Sequence, residues 1–282
     1  MDQAERLREL VKDTDNRARV VAIASGKGGT GKTNIAVNLA ALVVELGKRA
    51  ILIDVDIGLA NADVLLGVQP RVHLGHVLSG EVSVLDALVP AAGGVLLLPG
   101  TSLRPVSDLA PTERDYLVES FRQLESYADV ILIDTGAGVS ENVLQFAGAA
   151  DEVFVVTTPE PTAIVDGYNF IRNVSQQRGT GRIRLIVNQA RDALEAARVS
   201  ERIRMVARRF LRLEVEELGY VVSDPHVPRC VRRRRPFVLE HPESPAATCL
   251  RDIVDRAFGD EPAVRTGGFF RRFARAIHTA LS

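Results

Sequence analysis

The sequence predicts an α/β protein: a mostly parallel, twisted sheet with helices on both faces, organised around a phosphate-binding loop. Three observations predict it. Ser25-Gly26-Lys27-Gly28-Gly29-Thr30-Gly31-Lys32-Thr33 fits the spacing G-x-x-x-x-G-K-[ST], between the apolar run Val20 to Ala24 and a helical segment, Asn34 to Leu46. A second apolar run, Ala50 to Ile53, ends in Asp54-Val55-Asp56. A third, Val130 to Ile133, ends in Asp134. Strands of this kind present their terminal carboxylates at the carboxyl edge of a parallel sheet, where α/β ligands bind.

In the loop, the glycines let consecutive backbone N–H groups curl around a polyphosphate, and the helix that follows adds its partial positive charge. Lys32 is placed to reach the β- and γ-phosphates, and the Thr33 hydroxyl to sit on Mg²⁺. Lys27 is a second lysine, unnecessary for holding phosphate within one protomer. Asp54 and Asp56, two apart, project on one face of an extended segment. They would repel a nucleotide unless Mg²⁺ and an attacking water accounted for them. Asp134 belongs near Mg²⁺ through a water. Gly136 and Gly138 leave the backbone free to rotate, so that an N–H meets or loses the γ-phosphate.

The rest of the chain supplies the scaffold. Val64 to Leu88 holds short amphipathic elements, with His73 and His76 on one helix face but no carboxylate or cysteine to complete a metal site. Gly94 to Gly100 reads as a strand stopped by Pro-Gly, and Thr112 to Ser126 as a capped helix. Asp151 to Thr158 is another buried strand, and Thr162 is placed to cap the helix after it. Ile183 to Val187 is the next strand, ending at Asn188, whose amide offers a donor and an acceptor to adenine. Asn188-Gln189-Ala190-Arg191 stands where a guanine reader would have N-K-x-D, so ATP is expected rather than GTP. Ser200 to Leu213 is a basic amphipathic helix, Tyr220 to Ser223 a last core strand, and Thr248 to Phe258 a closing helix.

Composition narrows the function. A chain of 282 residues suits one large α/β domain with appendages, and the net charge of −1 leaves nucleic-acid binding to a local patch. The run Arg232 to Arg235 lacks aromatic interleaving, which argues against DNA. Cys230 and Cys249 form no C-x-x-C pair, pointing to a reducing compartment and away from an iron–sulfur carrier. The start of the chain lacks a signal-peptide layout, and no apolar run approaches the ~18 residues of a membrane span. A cytoplasmic location is expected.

Four segments follow. Residues 1–19 are an amphipathic segment and linker, 20–258 the nucleotide domain, 259–268 a Gly/Pro/charge-rich hinge, and 269–282 an amphipathic helix. In the last, Arg271, Arg272 and Arg275 share an arc of roughly 120° with the other polar residues, opposite Phe269, Phe270, Phe273, Ile277 and Leu281. That pattern suits an interfacial membrane helix, or one docked on the protein and released on ATP binding. Burying its large side chains yields roughly 10 kcal/mol at best. Ordering the segment costs about 1 kcal/mol or more per residue. One copy therefore binds weakly, whereas two copies on a dimer gain about 10² or more in effective concentration.

The motifs carry a family resemblance over nearly the whole chain. K-G-G-x-G-K-T resembles the deviant Walker A loop of the MinD/ParA ATPases, which implies that Lys27 reaches across a dimer to the partner's nucleotide. Asp56 to Asp63 resembles the family's switch I; by that resemblance Asp56 positions or activates the attacking water, and Asp54 supports the magnesium shell. Asp134-Thr135-Gly136-Ala137-Gly138 and Thr157 to Asp166 resemble the FlhG branch. Asn188 matches the base-reading Asn, and Asp224-Pro225 the second wall of the adenine pocket. Asp2, Gln3, Ala4, Leu7 and Arg8 resemble the FlhG element D-Q-A-x-x-L-R, which stimulates the GTPase of the signal-recognition-type partner FlhF. The resemblance implies ATP/ADP and Mg²⁺ as ligands, an ATP-dependent homodimer and an anionic membrane surface on the inner face of a bacterial cell membrane. It also implies FlhF, and flagellar switch or transcription-regulator proteins, as partners. A MinD-type division-site regulator, a ParA-type partition ATPase and a barely hydrolysing adaptor for a transcription factor are the alternative readings.

Overall fold

Alternation within each apolar run sends side chains to two cores, one on each face of a sheet. In strand β1 (Arg19–Ser25), Val20, Ala22 and Ala24 enter one core, Val21 and Ile23 the other. Strands β2 (Ala50–Asp54) and β5 (Val130–Ala137) divide in the same way. The structure, a computed structural model, describes residues 17–56, 61–100, 108–177, 179–259 and 268–279.

The eight strands lie in the order β3-β4-β2-β5-β1-β6-β7-β8, where β3 is Val89–Pro90, β4 Leu96–Leu98, β6 Glu152–Thr157, β7 Arg182–Ala190 and β8 Glu216–Val222. All pairings are parallel except β3 with β4, so the expected mostly parallel sheet is found. Strand β1 sits between β5 and β6, where the chain order reverses, and such a crevice is where open α/β sheets hold ligands. Helix α1 (Lys32–Glu45), the short α2 (Ala62–Leu66) and, later in the chain, α8 (His226–Arg233), α9 (Phe237–Glu240) and α10 (Pro245–Phe258) cover one face. The other carries α3 (Leu74–Leu78), α4 (Pro111–Tyr127), α5 (Glu141–Ala149), α6 (Pro161–Ser175) and α7 (Ala193–Leu211). His73 and His76 cap α3: the His76 Nδ1 accepts from the His73 N–H at 3.3 Å.

Helix α11 (Phe269–Thr279) takes the docked placement of the two expected for the tail. Phe269, Phe270, Phe273 and Ile277 do not form a separate lipid-facing segment in this structure; they are buried in the same core as β1, α4 and α5. Phe273 stacks on Phe146 with ring centroids 4.7 Å apart and lies 5.9 Å from Phe121. Arg272, expected among the headgroup-facing arginines, instead donates to the Ala149 carbonyl at 2.9 Å and pairs with Asp151 at 2.7 Å. The physical reason is that the apolar arc finds an apolar groove between α4 and α5, and its one inward arginine finds a carboxylate there. Arg271 and Arg275 stay exposed. Leu281 and the N-terminal residues Asp2, Gln3, Ala4, Leu7 and Arg8 lie outside the described residues.

Beneath this docked helix lies Glu125 of α4. Burial pushes its carboxyl up to about 7, with Arg17 opposing and Asp151 adding to the shift. A carboxyl raised in the folded state contributes stability that is fully present below its unfolded value, about 4.3, and lost as pH rises through about 7. Urea denaturation between pH 4.5 and 7.5 is therefore expected to show, for Glu125→Gln, a flatter decline in stability with rising pH than for the wild type. Parallel curves would show that Glu125 ionises freely.

Candidate functional site

The loop begins where β1 ends, and close packing dictates its glycines. A side chain at Gly26 would place Cβ 2.0 Å from the Asp166 carbonyl oxygen of α6, so this glycine serves backbone contact as much as curling of the loop. Gly31 has φ +83° and would place Cβ 2.4 Å from the Asn188 Nδ2, and Gly29 also has a left-handed φ. Gly28 is open on all sides. Ile35 donates to the Gly31 carbonyl, which starts α1 directly behind the loop.

Lys32 is buried, and its ammonium lies 2.7 Å from Asp134 Oδ1, 3.4 Å from the Thr33 hydroxyl and 4.0 Å from Asp56 Oδ2. Asp54 and Asp134 sit directly opposite each other at the ends of β2 and β5. Burial, then the neighbouring Asp134, pushes the Asp54 carboxyl up to about 7. Its oxygens accept the backbone N–H groups of Asp56 at 3.0 Å and of Asn61 and Ala62 at 3.1 Å. Asp54 therefore holds the ends of the switch I stretch; residues 57–60 lie outside the described residues. Burial also raises the Asp134 and Asp56 carboxyls, with Lys32 opposing in both.

The residues fit a magnesium-bound polyphosphate. Asp134 Oδ2 and the Thr30 hydroxyl are buried without a hydrogen-bond partner. Among the described residues no group of three or more His, Cys, Asp or Glu could hold a metal ion by itself. Thr33 and Asp134 would thus share the ion with phosphate oxygens, the usual way Mg²⁺ is held.

Two groups beside the cradle are held elsewhere in this structure. Lys27 does not enter its own cradle: its ammonium donates to Glu160 Oε1 and Thr162 Oγ1, each at 2.8 Å, and holds the Glu160 carboxyl below its usual range. The Gly138 N–H, in the stretch expected to meet or lose the γ-phosphate, here donates to the Ser25 carbonyl at 2.9 Å. Gly138 has φ +90°, so the peptide can turn without side-chain cost. Gly136 is needed for closeness, since a Cβ there would lie 3.2 Å from Asp56 Oδ1.

Behind the loop opens a cavity of about 670 Å³ lined by Gly31, Ile35, Asn188, Asp224, Pro225 and Phe237, among others. Both expected base-side residues line it. Asn188 Nδ2 donates to the Thr30 carbonyl at 2.8 Å, tying the base cavity to the loop. Asp224 walls the cavity, but its oxygens accept from the His226 N–H and Nδ1 at 2.8 Å and the Ala246 N–H at 3.2 Å. Burial pushes its carboxyl up, and those hydrogen bonds outweigh it and leave it low. Asp224 thus positions the turn into α8 and the start of α10. Sequence reasoning missed Gln189, held at φ +57° on the cavity rim, and Arg232, the member of the arginine run that lines the cavity. No local pattern signals the first; the second was read only as charge.

Residues 21–237 match the family described as CobQ/CobB/MinD/ParA nucleotide binding domain. The chain is 34% identical over 239 residues to the antiactivator FleN of Pseudomonas aeruginosa, covering 84% of this chain and 85% of that protein. It is 34% identical over 247 residues to the flagellum site-determining protein YlxH of Helicobacter pylori, covering 83% and 82%. The solved structure of the septum site-determining protein MinD complexed with Mg-ADP from Pyrococcus horikoshii OT3 matches with a TM-score of 0.71 at 25% identity, over 89% of this chain and 99% of that one.

Gly31→Ala tests the cradle. A left-handed alanine costs roughly 1–2 kcal/mol, and the displaced Asn188 would lose its bond to the loop. A fluorescent-nucleotide titration is expected to show affinity reduced about tenfold or more in a variant of normal circular dichroism. Wild-type affinity would mean the loop does not close on phosphate.

Proposed function

The chain belongs to the CobQ/CobB/MinD/ParA nucleotide-binding family, as an FlhG-type member, and we propose that it forms an ATP-dependent dimer on the membrane that regulates flagellar number or placement. The observation that carries this reading is Lys27, a loop lysine turned out of its own phosphate cradle onto Glu160 and Thr162. An ordinary phosphate loop has no use for such a group; a site shared between two copies does.

The protein is an ATPase, and each residue at the edge has a physical task. Backbone N–H groups of the loop and Lys32 hold the phosphates. Thr33 and Asp134 would hold Mg²⁺, as the Mg-ADP complex of Pyrococcus MinD supports, and the ion supplies charge neutralisation at the phosphates. Asp56, half-buried with its carboxyl raised, orients the attacking water and takes its proton. Asp54 fixes Asp56 through the backbone. Asn188 and the wall at Asp224 place adenine in the cavity.

Dimerisation becomes membrane affinity through α11. Docked, its phenylalanines are hidden; released in pairs from an ATP-bound dimer, they reach lipid together. The descriptions of the Pseudomonas relative as an antiactivator and the Helicobacter relative as flagellum site-determining support the flagellar role. Stimulation of the FlhF GTPase by the N-terminal element, with Gln3 at its centre, completes the reading.

Lys27→Ala is expected to bind nucleotide within about threefold of the wild type, yet stay monomeric with ATP in analytical ultracentrifugation, where the non-hydrolysing Asp56→Ala control is a dimer. Loss of nucleotide binding in the monomer would show an ordinary phosphate loop. Independently, a peptide of residues 1–19 is expected to accelerate GTP hydrolysis by FlhF-type GTPases, and its Gln3→Ala version not to. Equal behaviour of the two peptides would sink the flagellar assignment and leave the ATPase standing.

A further inference from the structure

Helix α7 carries an outer stripe that the ATPase does not use. At about 100° per residue, Leu194, Arg198, Arg202, Met205 and Arg209 fall within an arc of about 80°, and all are exposed. Leu194 is 61% and Met205 58% exposed, large values for apolar residues in a helix whose other side is core. The remaining arginines of this helix are engaged: Arg204 with Glu217 and the Val215 carbonyl, Arg208 with Glu214. Arg198, Arg202 and Arg209 are engaged by no carboxylate among the described residues, and the Arg209 guanidinium rests 5.5 Å from the Phe210 ring centroid. Phe210, at the end of the helix, is itself 66% exposed. Glu201 borders the stripe.

We infer that this face of α7 is a second contact for an anionic lipid surface. Arginines interleaved with large apolar residues match a surface that offers phosphate at one depth and hydrocarbon just below it. The stripe is the crest of an outer helix, a convex ridge. A lipid surface can yield to a ridge, whereas a partner helix is received in a groove. A second copy laid on the same face would set arginines against arginines. The helix also belongs to the same side of the sheet as α11. A surface approached by the released tail therefore meets a layer in which α7 already presents unpaired cations. The inference builds on the membrane half of the reading above, and it supplies what the tail lacks, since a single amphipathic helix of this length partitions weakly.

The test is sedimentation of the full chain with ATP and vesicles of phosphatidylcholine containing phosphatidylglycerol, against vesicles of phosphatidylcholine alone. R198E/R202E/R209E is expected to bind the anionic vesicles at least tenfold less than the wild type, with unchanged circular dichroism and nucleotide affinity. M205S, on the same stripe, is expected to weaken binding by roughly threefold to tenfold without changing net charge. Wild-type binding by the triple variant overturns the inference. So does a triple variant that keeps vesicle binding but loses binding to a duplex DNA or to an acidic peptide, which would assign the stripe to that partner. R271E/R275E, run alongside, separates the two readings. If it binds like the wild type while the α7 variant does not, the tail reading falls and this one stands; the opposite result leaves only the tail. A wild type that pellets with neither vesicle overturns both.

Discussion

One buried ammonium among three carboxylates governs the nucleotide edge. Lys32 reaches Asp134 at 2.7 Å and Asp56 at 4.0 Å, while Asp54 faces Asp134 across the sheet register. Burial raises these carboxyls, and like charges this close add to it; the Asp54 carboxyl at about 7 is the result. Such an arrangement is costly unless something anionic takes Lys32 and something cationic takes the carboxylates. A magnesium-bound polyphosphate does both at once. The Lys32–Asp134 pair is therefore a placeholder: each partner is held in the position that the nucleotide will use, so little reorganisation remains when it arrives.

That constraint also explains why the two switch stretches are tied to the same few atoms. Asp54 collects three backbone N–H groups, from Asp56, Asn61 and Ala62. Gly136 packs under the Asp56 carboxylate, and Gly138 hangs from the Ser25 carbonyl at the start of the loop. A change at the phosphates moves Lys32 and Asp56 first, and the glycines give way without side-chain penalty.

Much of this edge was legible in the sequence because its logic is local. Glycine spacing, apolar runs and the aspartates that end them placed β1, β2, β5, Lys32, Thr33, Asp54 and Asp134 before any coordinates, and Asn188 was found at the end of its strand. What escaped depended on residues far apart in the chain. Lys27 meets Glu160 and Thr162 more than a hundred residues later, and no spacing rule announces it. Asp224 walls the cavity, but its hold on the distant start of α10, through the Ala246 N–H, is announced by no local pattern. The tail shows the deeper limit. Periodicity reveals that one side of a helix is apolar, but a lipid surface and a groove between α4 and α5 satisfy that side equally well. Only the ring contacts with Phe121 and Phe146 identify the occupant in this structure.

The tail's lock lies on the strand that carries the loop. Asp151 gives one carboxylate oxygen to the Val20 N–H of β1 and the other to Arg272 of α11. Removing Arg272 would break the 2.7 Å ion pair with the buried Asp151 and take from Glu125 one of the cations that restrain its pKa. The tail cannot leave for the cost of its apolar contacts alone. It must also give up the Arg272–Asp151 pair, and this sets a threshold on the undocked state that an interaction of the exposed helix has to exceed.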